Sequence, residues 1–370
     1  MRLKNRSGGD RELTVAIIGL AHLHPRSYMP LFQSIPGVKV VAVVEKDENL
    51  RKDFCRDFGV TGFADLEDFI AAGGADIAAI FLPHADCPDA AVRCARAGMH
   101  LMMEKPVASG AEGARRIVEA AGKAGVLVTA GYCWRMHPAA REIRRMIQNG
   151  WIGQVVGGEG RCAAGRLSRY IEGKSAWMLD SSVSGGGPMY NLGVHWIDLF
   201  RWALGDEVEA VSGCNVKVNE RYDIEDNSFA HLRFSKGAVV ALDISYTVPD
   251  SFPHGRDLYV AFRGTRGVIS WAPAYEGERD IVFVCSDAPE LAGSPIRRIE
   301  FNLQPVKGYS GYMGSEYVRS FVAAVRERMN PPISGEDAVA VLDVVEAIYD
   351  SARSGKWEKV RRPADKRSRK

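Results

Sequence analysis

The chain has 370 residues, 46% of them hydrophobic and 25% charged, with a formal net charge of +2. That is enough chain for two domains with full cores. The charge is too mild for a nucleic-acid binder, and no run of about 18 apolar residues offers a membrane span.

The N-terminal "MRLKNRSGGDRE" lacks the apolar core of a signal peptide. Residues 1–12 and 359–370 are expected as solvated tails, the second one basic. The seven cysteines form no C-x-x-C pair, which points to a reducing cytoplasm and away from a thiolate zinc site.

From residue 13 to 131 short apolar runs alternate with amphipathic segments. "TVAIIG", "KVVAVVE", "DIAAIFLP", "HLMMEKP" and "VLVTAGY" are apolar throughout rather than alternating, as strands covered on both faces are. The segments between them have helical spacing, several ending in a cap-like glycine. This grammar predicts an α/β fold, a doubly wound parallel Rossmann sheet.

The first run opens into Gly19, where a dinucleotide loop would continue with glycines at 21 and 24. Here stand Ala21 and His24, with His22 between them. Pro25 favours a first helical turn, so the helix is expected to begin after His24 and leave that residue in the loop. His22 and His24 have three readings: loop filler, lining of the cofactor pocket, or metal ligands. Lining is preferred, and no metal is expected, because H-x-H has no nearby acidic or cysteine partner.

Glu45 ends the second run, 26 residues beyond Gly19. A carboxylate there accepts both ribose hydroxyls and repels a 2′-phosphate, favouring NAD over NADP, although neighbouring Lys46 softens that choice. The alternative for Glu45 is a solvated strand end. Glu104-Lys105-Pro106 follows the "HLMM" run, at the strand ends where such sheets bind ligands. A lysine there can bond a substrate oxygen, and burial would lower its pKa toward proton chemistry.

Beyond residue 131 the strands lengthen and alternate, with hairpin turns at "SKG" and "GTRG". Residues 132–358 therefore read as an α+β domain with an open, mainly antiparallel mixed sheet, closed by two helices. Within it "SGGGPMYNLGVHWIDLF" joins a glycine loop to Asn191 and His195, four apart and on one face if helical. Histidine is the natural base for a hydroxyl near neutral pH, though a lone one is commonly a packed core residue. Arg135 adds basic character to the entry of this domain, and Trp177 offers a flat face suited to sugar C–H surfaces; solvated surface and buried packing are the competing readings.

E-K-P after the fifth strand and G-G-G-x-x-x-[D/N]-x-G-x-H downstream make the chain resemble the Gfo/Idh/MocA oxidoreductase family over nearly its whole length. The resemblance implies nicotinamide-dependent oxidation or reduction of a sugar, cyclitol or related polyol, by a homo-oligomer (dimer or tetramer). It matches Lys105 to the E-K-P lysine and His195 to the acid/base histidine. Asn191 stands where many members carry aspartate; an amide orients but cannot take a proton. Asp198 is then either a support for His195 or a helix cap.

The cofactor contacts expected on this basis come from Gly19, Leu20, Ala21, His22 and His24 on the loop, and from Glu45 and Lys46 on the second strand. Pro83 and His84 join them in "FLPHADCP", where Cys87 replaces the family's usual histidine, and so do Glu104 and Lys105. Substrate contacts are expected from Arg135, Trp177, Asn191 and His195. Two other readings remain open: redox-neutral glycoside cleavage through oxidation and elimination on retained NAD, and a nucleotide-binding sensor without turnover.

Overall fold

A computed structural model describes residues 12–249 and 251–361. Six strands form the first sheet: β1 (Leu13–Ile18), β2 (Val38–Val44), β3 (Thr61–Phe63), β4 (Ile77–Ile80), β5 (His100–Met103) and β6 (Val128–Ala130). All pair in parallel, in the order β3-β2-β1-β4-β5-β6. The direction of winding reverses between β1 and β4, and a doubly wound sheet opens its ligand crevice at such a reversal. The ends of β1, β4 and β5 deliver Gly19, Pro83-His84 and Glu104-Lys105 to it.

The helices of this half are α1 (Pro25–Gln33), α2 (Glu48–Phe58), α3 (Leu66–Ala71), α4 (Cys87–Arg96) and α5 (Ala111–Ala124). Helices α2 and α5 end in left-handed glycines, Gly59 and Gly125. His24 is the N-cap of α1, ahead of Pro25 as its sequence position implied. The three-residue β3 carries no apolar run, so its sequence gives no strand signal; it is an edge strand.

A nine-stranded sheet follows: β7 (Val155–Ala164), β8 (Val208–Val216), β9 (Asn227–Phe234), β10 (Val239–Ser245), β11 (Arg256–Gly264), β12 (Gly267–Trp271), β13 (Arg279–Ser286), β14 (Ile296–Asn302) and β15 (Glu358–Lys359). Its order is β14-β13-β12-β11-β7-β10-β9-β8-β15, and every pairing is antiparallel except β7 with β10. Helices α6 (Pro138–Gln148), α7 (Leu167–Glu172), α8 (Ser181–Ser184) and α9 (Val194–Leu204) precede or interrupt the sheet; α10 (Gly311–Glu327) and α11 (Gly335–Ser354) close the domain. They also return to the first domain, α10 onto α1 and α11 onto α5 and β6.

The stretches expected as tails lie outside the described residues, apart from Glu12 and residues 359–361. There the expectation needs correcting: Lys359 pairs with Ala210 in β8, and Val360 is buried. The domain therefore runs past 358. Among the described residues no helix is long and apolar enough to cross a membrane.

A buried ion cluster ties the second domain together. Arg135 Nε donates to Asp198 Oδ2 at 2.7 Å and its Nη2 to Asp337 Oδ1 at 2.9 Å, with Arg201 Nη1 3.6 Å from the same carboxylate. Asp198 is fully buried. Removing one member of such a set leaves an uncompensated charge in low dielectric. Asp198→Ala should cost about 3 kcal/mol in urea unfolding; a loss below about 1 kcal/mol, the scale of an exposed pair, would contradict this account of the cluster.

Candidate active site

The β1–α1 loop turns at Gly19, whose φ is +87° and where a Cβ would lie 2.5 Å from Leu82 Cδ2. Both facts require glycine. The turn is anchored from three sides. Glu45, buried, accepts the Leu20 N–H at 2.7 Å and the Asp47 N–H at 2.9 Å. From the second domain Ser175 Oγ and Trp177 Nε1 both donate to the Ala21 carbonyl at 2.9 Å. Lys46 is exposed beside Glu45.

His22 and His84 are buried behind this turn, both against the Trp177 ring, at centroid distances of 6.1 and 4.8 Å. His84 Nδ1 lies 2.8 Å from the Ser184 carbonyl, which requires the proton on that nitrogen. Its Nε2, and that of His22, have no hydrogen-bond partner among the described residues. Two buried polar atoms without partners beside a loop of this kind are what a bound dinucleotide would satisfy. With Gly19 and Glu45, they fit the cofactor.

A buried polar cluster is assembled across the two domains. Lys105, 3% exposed, donates from Nζ to the Asn191 carbonyl at 2.9 Å and to Asn191 Oδ1 at 2.7 Å. Asn191 Nδ2 in turn donates to Tyr170 Oη at 2.7 Å and Tyr246 Oη at 2.9 Å. The amide orientation is thereby determined, and one N–H of the ammonium is left for another acceptor. Asn191 sits in a π-helical turn, Met189–Gly193, that leads into α9 and His195. The turn starts from Gly187, where a Cβ would lie 2.1 Å from the Glu225 carbonyl.

Lys105, Asn191, His195 and His24 all line one cavity of about 770 Å3. Trp134 and Trp196 supply apolar wall, and Arg169 and Arg256 add cationic groups. Burial lowers the Lys105 pKa, with Glu104 pulling back. Burial also holds His195 well below the ordinary imidazole range, reinforced by Lys105 and His24. A neutral ring at physiological pH is a proton acceptor.

Two expected substrate contacts lie elsewhere. Arg135 belongs to the ion cluster, because two carboxylates take its guanidinium. Trp177 is turned to the cofactor loop by its bond to Ala21. Asp198 does not support His195 either: it is committed to Arg135, and His195 Nδ1 has no partner among the described residues. The H-x-H pair, with no acidic neighbour in sequence, meets one in space, since His24 Nδ1 lies 3.3 Å from Glu104 Oε2. Tyr170, Tyr246 and Tyr309 escaped sequence reasoning. Their positions carry no local pattern; they act through Asn191, 21 and 55 residues away, and through the His24 ring, 4.1 Å from that of Tyr309.

A parallel sheet of the nucleotide-binding type, joined to a second domain with an open mixed sheet, is the architecture of a two-domain oxidoreductase. The chain belongs to the Gfo/Idh/MocA family: it matches the "Oxidoreductase family, NAD-binding Rossmann fold" over residues 13–132 and the "GFO/IDH/MocA C-terminal domain" over residues 140–270. Among curated relatives, the scyllo-inositol 2-dehydrogenase (NAD(+)) of Bacillus subtilis is 25% identical, covering 70% of this chain and 74% of its own. The levoglucosan dehydrogenase of Pseudarthrobacter phenanthrenivorans is 23% identical, covering 92% and 95%. An Agrobacterium radiobacter oxidoreductase, solved with NAD+, L-tartaric acid and magnesium, shares the fold with a TM-score of 0.81 at 20% identity, covering 94% and 98%.

The buried imidazoles make stability pH-dependent. Burial takes His84 from 6.5 down to about 4, so as pH falls the unfolded chain binds a proton that the folded ring refuses. Stability should drop as pH falls from 6.5 to about 4, with His84 contributing up to about 1.4 kcal/mol per pH unit. Urea unfolding of His84→Asn should show a shallower slope; an unchanged slope would contradict the assignment.

Proposed function

We propose that the protein is an NAD-dependent dehydrogenase of a sugar, cyclitol or related polyol, and that the reacting hydroxyl lies between Lys105 and His195. The observation that carries this reading is the convergence of Lys105, Asn191 and His195 on one cavity. The names of the two dehydrogenase relatives support the substrate class.

When bound, the nicotinamide accepts or returns the hydride. This chain's residues do the rest. Gly19 and Leu20 would hold the dinucleotide at the turn, and Glu45 would accept the adenosine ribose hydroxyls and disfavour a 2′-phosphate. Pro83 and His84 bound the crevice at the end of β4. His195, neutral, takes the hydroxyl proton. Lys105 directs its remaining N–H at the same oxygen and stabilises the charge that develops there.

Asn191 is a positioning residue: it holds the ammonium through two oxygens and is itself held by two phenols. An aspartate at this place would add a negative charge and a second proton acceptor. With asparagine, proton transfer rests on His195 and Lys105.

The test is NADH formation with a panel of sugars and cyclitols, followed by Lys105→Met on the best substrate. Loss of a positioned proton-transfer group should lower kcat by about 10²–10⁴-fold, while calorimetry finds NAD affinity changed by less than about threefold, a binding difference under 1 kcal/mol. Undiminished kcat in the variant would remove Lys105 from the reaction.

A further inference from the structure

The two histidines of the cofactor loop have a common destination. One nitrogen from each of His22 and His24 and one carboxylate oxygen of Glu104 all lie within 4.8 Å of one another. His22 and Glu104 are 4% and 5% exposed, and His22 Nε2 has no hydrogen-bond partner among the described residues. We propose that His22, His24 and Glu104 form a site for a divalent transition-metal ion of the zinc class, where the cofactor loop meets the substrate cavity.

The donor set defines the ion. Two imidazoles and one carboxylate suit zinc, cobalt or manganese, whereas magnesium and calcium take oxygen ligands. Three protein ligands leave a coordination position open. His24 lines the cavity, so that position is available to a water or to an oxygen of the polyol.

The surroundings hold the ligands in place. The Lys105 backbone N–H donates to Glu104 Oε1 at 3.1 Å, while Oε2 is the oxygen beside His24. Tyr309 packs on the His24 ring. The loop between Gly19 and α1 is fixed at Leu20 by Glu45 and at Ala21 by Ser175 and Trp177. Such outer contacts orient ligands before a metal arrives.

There is a cost. Coordination through His22 Nε2 puts the ring proton on Nδ1, which now lies 3.3 Å from the His24 N–H. That contact is long for a hydrogen bond and is given up on binding. The nearby Lys105 ammonium repels the ion, but it is already engaged by both Asn191 oxygens.

The experiment uses the full chain, stripped of metal by a chelator and of nucleotide by dialysis. It is titrated with Co2+ while visible d–d absorption is recorded, and with Zn2+ by calorimetry. The expected result is one ion per chain, displacement of cobalt by zinc, and no displacement by millimolar Mg2+. His22→Gln and His24→Gln should each weaken zinc binding by at least tenfold, about 1.4 kcal/mol. Circular dichroism and urea unfolding midpoints show that the variants are folded.

Absence of both the cobalt band and the zinc heat would overturn the proposal. So would equal binding by the two folded variants, which would put the ion elsewhere. Because NAD binding is read independently, failure of the metal site leaves the dehydrogenase reading standing, and the converse also holds.

Discussion

The interaction on which the rest of the structure depends is the double hydrogen bond from Lys105 to Asn191. It joins the end of a strand in the nucleotide-binding sheet to a π-helical turn in the second domain. A buried ammonium is expensive unless its hydrogen bonds are met, and two oxygens of one asparagine meet two of the three. The position of His195 follows, because it lies four residues along the same turn and helix. Tyr170 and Tyr246 accept from the amide nitrogen, so the Asn191 side chain is held at both ends.

The cofactor loop shows how a chain compensates for lost glycines. Gly19 alone is indispensable to the turn, since its φ and its distance from Leu82 both exclude a side chain. At 21 the cost of a methyl group is met by bonds from Ser175 and Trp177 to the same residue's carbonyl. At 24 the helix simply starts later, with Pro25 in its first turn. His24 is thereby placed beside Glu104, the neighbour of Lys105, which connects the loop's departure from pattern to the chemistry available there.

Much of this was legible in the sequence because its signals are local. "DIAAIFLP" and "HLMMEKP" are apolar throughout, so both faces had to be covered and a parallel sheet followed; β3 and β15, too short for any pattern, were not visible. The partners of Arg135 and Trp177 leave no signal for a different reason. Arginine and tryptophan look alike on paper whether they meet a sugar or a buried partner, and the partners here, Asp198, Asp337 and Ala21, lie 63, 202 and 156 residues away. The same limit hid Glu104 from His24, eighty residues apart. Pairings that tertiary structure creates leave no spacing to read.

The central claim is that the altered loop is a working NAD site. Calorimetric titration of nucleotide-free protein with NAD and with NADP tests it most directly. The account predicts binding of NAD in preference to NADP, with the preference reduced when Glu45 is replaced by glutamine. No heat with either nucleotide at millimolar concentration would contradict it.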